Sequence, residues 1–551
     1  MHITSRWQAP RSLIGLALRG HRVGLLSWAV GSGAVAYWFG TFYHDTINSM
    51  GGAAKFAALA QPTADAMRPL TGPAERLDTY GGYFTYHNLG YVILFLGIYA
   101  AIQGARAARG DEEAGLTEMW LSTGRPRWVL LRDRLVSFVL VLCCIVVGAG
   151  TGIGVGAVAA GQPDWSGAFA AMFEIALTAL VCYGIGMVVA QLTRTGRAGA
   201  AVSGFTIVGL YFVNTMSSGF PFLAQVRWIS PFALAEQSRT LIPGNGVQPW
   251  ATLALCAAAL LFPAAGMLAY QRRDSGAALL TLRRNQHRKP NRIRLRTLGL
   301  RDLWTASLRE QRLALAAWIL GNTVLEWLYV GLGHQVVTAW RDNQFIRSLL
   351  SRSSQAPLED QYVSFTVTMT LGVAVAYVIV QSARWLSDIE HGRAEMALAH
   401  GVSRSRLVLE RTAALVAGVT AVAAGGVAGI ALGAWSSGMT INSTGIMRTV
   451  GATVLMSLAV GGVGLLIVAW LRSGLAIALL TLLLAASWVI TLFGGLAKLP
   501  DWVLRISVFD AFGEPYIGPL RTGSVIYLVA ALVIGVALAV GVSRTRSSIA
   551  A

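Results

Sequence analysis

Charge is scarce in this sequence. Only 13% of its 551 residues are Asp, Glu, Lys or Arg, where a soluble domain carries about 25%. That shortage excludes a water-facing surface over most of the chain. Acids are scarcest, 26 against 44 basic residues, for a formal charge of +18. There are four cysteines, Cys143, Cys144, Cys182 and Cys256. All sit in apolar runs without metal-ligand spacing, so they read as small buried residues, not as a disulfide or metal framework. Motifs of chemistry are missing as well: there is no G-x-x-x-x-G-K-[ST] phosphate loop, no H-E-x-x-H, no G-x-S-x-G and no acidic metal cluster. The Gly-rich "GTGIGVGAV" (Gly150–Val158) has no lysine and lies in an apolar run, where small residues let helices approach closely. No enzyme site, metal or cofactor is therefore expected on this chain.

Long hydrophobic runs fill the space that charge leaves, and hydrophobic residues make up 55% of the chain. A helix needs about 20 mostly apolar residues to cross the hydrocarbon core. Backbone groups in lipid must bond internally, so the runs are expected to be helices. The alternating pattern of a membrane barrel is absent. About twelve spans are expected, centred near residues 32, 97, 144, 180, 207 and 260, then 322, 373, 420, 458, 484 and 534. The first apolar patch, Leu13–Leu18, is too short to span and is broken by Arg19, His21 and Arg22. With no small-residue cleavage site after it, it does not read as a secretory signal. Basic residues gather in alternate loops, richest over 271–301, then at Arg194 and Arg197, Arg472, and Arg544 and Arg546. That is the positive-inside pattern. It places both termini in the cytoplasm and assigns the charge to orientation and lipid-headgroup contact, not to nucleic acid.

The chain repeats itself. "DEEAGLTEMWLSTGRPRWVLLRDR" (Asp111–Arg134) returns as "DIEHGRAEMALAHGVSRSRLVLER" (Asp388–Arg411). An offset of 277 carries Glu113 to Glu390, Gly115 to Gly392, Glu118 to Glu395 and Met119 to Met396. It also carries Leu121 to Leu398, Gly124 to Gly401, Arg127 to Arg404 and Arg134 to Arg411. "WISPF" near Ile229 returns as "RISVF" near Ile506 at the same offset, and the two halves open alike at an offset of 290. The expected fold is an all-α polytopic membrane protein with two parallel six-helix repeats. Their bounds are 1–272 and 301–551, joined by a basic cytoplasmic linker at 273–300. Each repeat is expected to begin with a short amphipathic, Arg-bearing interfacial segment. The long first and fifth outer loops are expected to hold partial helices.

Both copies of the repeated segment fall in the cytoplasm by the span count. Leu116, Met119, Trp120 and Thr123 follow i, i+3, i+4, i+7 spacing, which predicts a short amphipathic helix. Early acids and late Arg suit its dipole, and Gly124 with Pro126 ends it. An ordinary inside loop with solvated charges is the competing reading. The pattern E-x-G-x-x-E, then a leucine, then a small-residue turn with Ser and Arg, resembles the cytoplasmic coupling segment of ABC-2-type exporter permeases. "GVSRSRLVLER" carries the resemblance most fully, and the first copy has "GRPRW" there. The fused twelve-span layout resembles the actinobacterial polyketide-antibiotic (tetronasin-type) exporters. The resemblance implies a multi-pass permease of a bacterial cell membrane that exports hydrophobic or amphipathic compounds. It implies two copies of a separate ABC ATPase subunit, which would bind ATP and Mg. Glu113, Gly115, Glu118, Leu121 and Arg127 would face one ATPase, and Glu390, Gly392, Glu395, Leu398 and Arg404 the other.

Two acids, Glu174 and Glu326, fall within spans. Carboxylates there are costly and face a cavity or a partner, so a substrate pathway and a purely structural hydrogen bond are both open. Neither has a counterpart at the repeat offsets. A proton-coupled major-facilitator drug exporter also has six plus six spans, but its G-x-x-x-D-R-x-G-R loop is absent. A lipid exporter fits the same pattern, and so does a membrane scaffold without transport.

Overall fold

Hydrocarbon offers a backbone N–H or C=O no partner but another backbone group, and this chain meets that demand with helices. The computed structural model describes residues 30–273, 303–343 and 356–545, except 32, 46, 49–50, 114, 123, 125, 194, 391, 472–473 and 494–499. Every regular element among them is helical. Among the described residues ten helices are long and apolar enough to cross a membrane, so the chain is an all-α polytopic membrane protein. Of the other two expected spans, the one near residue 32 falls on a helical stretch, 33–45. The one near 484 falls on a shorter apolar helix, Leu475–Trp488. The interfacial segment of the first repeat and the linker beyond Arg273 lie outside the described residues.

The chain divides into two compact units, Met1–Arg288 and Lys289–Ala551. In the first, the stretch 33–45 (α1) is followed by α2 (Ala53–Ala66) in the long loop, then α3 (Gly90–Glu113) and the short α4 (Leu116–Leu121). Next come α5 (Arg127–Ala159), α6 (Trp165–Gln191), α7 (Gly196–Met216), the loop helix α8 (Pro231–Ala235) and α9 (Pro249–Arg272). The central helix is α6, two-thirds buried along its apolar window, with α3 and α9 packed on it.

The second unit opens with α10 (Leu303–Glu310), whose backbone begins with the Trp304 N–H donating to the Glu410 carboxylate at 3.1 Å. A carboxylate there offsets the positive end of the helix. Then follow α11 (Arg312–Gly331), α12 (Gly333–Asp342), α13 (Leu358–Glu390), the short α14 (Arg393–Ala399) and α15 (Arg404–Ser437). The unit ends with α16 (Ser443–Leu471), α17 (Gly474–Phe493) and α18 (Thr522–Thr545). Here α16 is central, between α13 and α18.

Glycine permits a close helix approach in each unit. On α5, Gly152 and Gly156 face α1: a Cβ on Gly152 would sit 2.3 Å from the Cα of Gly33, and one on Gly156 2.6 Å from the Ala36 carbonyl oxygen. On α15, Gly429 and Gly433 face α11, where a Cβ on Gly429 would sit 2.3 Å from the Thr323 carbonyl oxygen. The two ladders are 277 residues apart, with Gly148 and Gly425 one turn earlier. Lipid tails give helices no hydrophobic reason to associate, so close van der Waals packing over small residues does the work.

Helix length positions the repeated segments. The spans that flank them are Tyr80–Glu113, Arg127–Ala159, Leu358–Glu390 and Arg404–Ser437, at 33 or 34 residues the longest of the ten. At 1.5 Å per residue each is about 50 Å long, against about 30 Å of hydrocarbon. Their charged ends, Asp111 to Glu113 and Arg127 to Arg134 in the first unit, therefore stand beyond the apolar core. The short helices α4 and α14 sit at the tips.

Candidate functional site

Each repeated segment is a short helix set between two left-handed glycines. Gly115 (φ 71°) opens α4 and Gly124 (φ 75°) follows it; Gly392 (φ 68°) opens α14 and Gly401 (φ 82°) follows it. A Cβ at Gly115, Gly124 or Gly401 would meet nothing within 4 Å. Backbone conformation, not space, therefore demands glycine here. The next helix starts at a polar cap in the second unit, where the Ser403 hydroxyl accepts from the Arg406 N–H at 3.2 Å. In the first unit Pro126 takes that position, with its ring outside the helix.

An ion pair closes the base of each hairpin. Arg134 on α5 donates to both oxygens of Asp111 on α3, each at 2.9 Å. Arg411 on α15 donates to Asp388 on α13 at 3.3 Å, and Arg393 of α14 donates to the other oxygen at 2.8 Å. The acids, like the arginines, are 277 residues apart. That shared offset was a signal for Asp111 and Asp388 as much as for Arg134 and Arg411.

The predicted site residues separate into two groups. Glu118 on α4 and Glu395 on α14 point outward, and so do their neighbours Met119 (69% exposed) and Met396 (58% exposed), which the sequence reading did not assign to that face. Neither Glu118 nor Glu395 has an ion pair among the described residues. One position earlier, Thr117 and Ala394 are buried and seat each helix on its unit. Glu390 is also exposed. Leu121 is partly exposed, whereas Leu398 turns inward beside Trp385, Ile389 and Val408.

The other group faces the protein. The Arg127 guanidinium donates to the Arg273 carbonyl oxygen at 3.0 Å and lies 5.2 Å from the Tyr270 ring centre. Arg404 donates to the Ser543 carbonyl oxygen, also at 3.0 Å. Both arginines thus tie the segment to the end of the last helix of their unit. Glu113 accepts from the Gly196 N–H at 2.8 Å, at the start of α7, where a carboxylate suits the helix dipole. The first unit adds a network that spacing did not reveal. Glu112 bonds Arg273 and Arg109, while Arg109 also donates to the Ala190 carbonyl oxygen at 3.3 Å. It joins α3, α6 and the end of α9.

Glu174 and Glu326 are both buried, and each accepts from a threonine on a neighbouring helix. Thr252 of α9 serves Glu174 of α6, and Thr370 of α13 serves Glu326 of α11. The second oxygen of each carboxylate has no hydrogen-bond partner among the described residues. Glu326 lines a small space of about 30 Å³ with Asn322 and Thr449. Glu174 lines a larger one of about 110 Å³, beneath the loops of its unit.

Comparison with known proteins matches both halves of the chain. Residues 11–271 and 300–544 fit the family model described as multidrug efflux system permease Rv1217c, C-terminal domain. The chain is also similar to the multidrug efflux system permease protein Rv1217c of Mycobacterium tuberculosis (strain ATCC 25618 / H37Rv). Identity is 25% over 535 residues, covering 92% of this chain and 89% of the relative. With a family model spanning both halves, the chain belongs to the multidrug efflux system permease Rv1217c, C-terminal domain, family.

Proposed function

We propose that this chain is the membrane-spanning subunit of an ATP-driven ABC-2-type exporter for hydrophobic or amphipathic compounds. Two separate ATPase subunits energise it, one docking on α4 and one on α14. The protein resides in a bacterial cell membrane with both termini in the cytoplasm. One observation carries the reading. Each unit presents the same outward Glu–Met pair on a helix of one to two turns, framed by equivalent left-handed glycines and closed by an equivalent ion pair. Exposed methionine is costly in water and adaptable at an interface. A segment whose task was only to connect two spans would need neither that residue nor its repetition. Membership of a family named for multidrug efflux permeases supports the export direction and the class of cargo.

In this reading the labour within the segment is divided. Glu118, Met119, Glu395 and Met396 form the contact. Arg127 and Arg404 pass its motion to the last helix of each unit, and Asp111–Arg134 and Asp388–Arg411 stiffen the hairpin. Closure of an ATPase dimer would push on α4 and α14 and move α3 with α5, and α13 with α15.

The test is export by inverted membrane vesicles that hold the chain with its ATPase. Export of a hydrophobic dye is expected to require ATP and to survive collapse of the pH gradient. The purified chain alone is expected to hydrolyse no ATP. Export by the chain without any ATPase, driven by a pH gradient, would contradict the proposal.

A further inference from the structure

The cavity beside Glu174 has orphaned acceptors on its wall. It lies within the first unit, between α3, α6 and α7 and the loops around Thr71 and Phe232. Glu174 is 2% exposed and Asn214 6% exposed. The Oε2 of Glu174, the Oδ1 of Asn214 and the Oγ1 of Thr85 are all buried without a hydrogen-bond partner among the described residues. All three residues line the same cavity. Buried polar atoms ordinarily find partners, so three orphans lining one cavity mark a place for a ligand. Two of the three are oxygens that only accept, which calls for a donor.

The charge balance sets the sign of that donor. Glu236 also lines the cavity, but Arg239 at 2.7 Å and Arg227 at 3.6 Å pair with it, and the Asn214 amide donates to it at 2.8 Å. Arg239 is held further by Glu75 at 2.8 Å. Glu174 is therefore the wall carboxylate without an ion pair among the described residues, and the site is short of one positive charge. Three aromatic rings, those of Tyr86, Tyr211 and Phe232, complete the wall. Tyr211 and Phe232 meet edge to face at 5.3 Å. Aromatic faces attract cations and stack on flat groups. A space of about 110 Å³ is several times the roughly 10–15 Å³ that one water needs.

We propose that this cavity binds a protonated amine carrying an apolar or aromatic body, with the ammonium on Glu174 and Asn214 and the body against Tyr86, Tyr211 and Phe232. Binding stands on the cavity alone; that the amine is cargo rests on the export reading above.

The test is calorimetric titration of the full chain in lipid nanodiscs with 2-phenylethylamine and, separately, with its neutral isostere 2-phenylethanol. A hydrogen bond to a charged group is strong, so the amine is expected to bind at least about tenfold tighter than the alcohol. Glu174→Gln is expected to erase that preference and leave the alcohol unchanged, Glu174→Asp to keep part of it, and Glu326→Gln to keep all of it. Equal affinity of the wild-type chain for amine and alcohol would overturn the site, whether or not any variant folds. So would an undiminished preference in a monodisperse Glu174→Gln protein. ATP-driven export of neutral dyes without amine binding would sink the site and spare the export reading. Amine binding without any ATP-driven export would sink the export reading and spare the site.

Discussion

Four glycines carry the shape of the two repeated segments, and their cost is conformational. Gly115, Gly124, Gly392 and Gly401 all have φ between 68° and 82°. A Cβ there brings about 1–2 kcal/mol of left-handed strain per residue. Gly124→Ala and Gly401→Ala are each expected to destabilise the segment by that amount while leaving membrane insertion intact. Asn at the same positions, which tolerates this region better, is expected to cost less. Binding of the ATPase to purified variants, measured by surface plasmon resonance, checks this: roughly tenfold weaker for Ala and nearer to wild type for Asn. Equal binding for Gly and Ala would show that the segment's shape does not matter to docking. The base of the hairpin gives a second prediction at this scale. Asp388 holds both Arg411 and Arg393, so Asp388→Asn leaves two part-buried arginines without their carboxylate. A loss of about 1–3 kcal/mol is expected, read as a lower melting temperature of the purified chain. Arg411→Lys, which keeps the charge but not the fork, is expected to fall between.

At the scale of the element, the glycine ladders decide whether helices meet. Gly429→Ala would place its Cβ 2.3 Å from a backbone oxygen of α11, and Gly152→Ala its Cβ 2.3 Å from a backbone atom of α1. Backbone cannot swing aside as a long side chain can, so the helices must separate. Such overpacking typically costs about 1–3 kcal/mol. Both variants are expected to lower thermal stability in detergent, whereas Gly451→Ala, with nothing near its Cβ, is expected to be neutral. Differential scanning fluorimetry of the three variants separates these outcomes. The ladders also show why some elements were legible in the sequence. Gly150–Val158 was a run of small residues in an apolar stretch, and small residues in lipid mean close packing. The short helix of the first segment and its end at Gly124 likewise follow from periodicity and turn chemistry, and the constant offset carries them to the second. The partners of polar side chains did not follow. Arg127 and Arg404 looked like surface residues, yet they reach carbonyl oxygens 146 and 139 residues away. Glu113 is exposed, yet its carboxylate meets an N–H 83 residues on. No periodicity records contacts at such distance, because they depend on how the helices pack.

Across the whole molecule, two compact units each raise one short helix beyond the ends of their longest spans. The first unit adds the Arg109–Glu112–Arg273 network and the proposed amine cavity; the second carries Glu326, bonded to Thr370. The outward short helices are thus paired while the buried polar sites are not. In the export reading proposed above, that combination suits a machine driven twice in the same way on behalf of cargo that has no symmetry. Under the proposed function, losing one docking surface leaves the other intact. Charge reversal at Glu118 or Glu395 sets a like charge against any basic group in the ATPase cleft. Such an interfacial loss typically costs 2–5 kcal/mol where the contact is desolvated. The most direct measurement is native mass spectrometry of the chain co-purified with its ATPase. The account predicts one chain with two ATPase subunits for the wild type. It predicts one chain with one subunit for Glu118→Arg and for Glu395→Arg, and the chain alone for the double variant. Two ATPase subunits still bound to the double variant would contradict it.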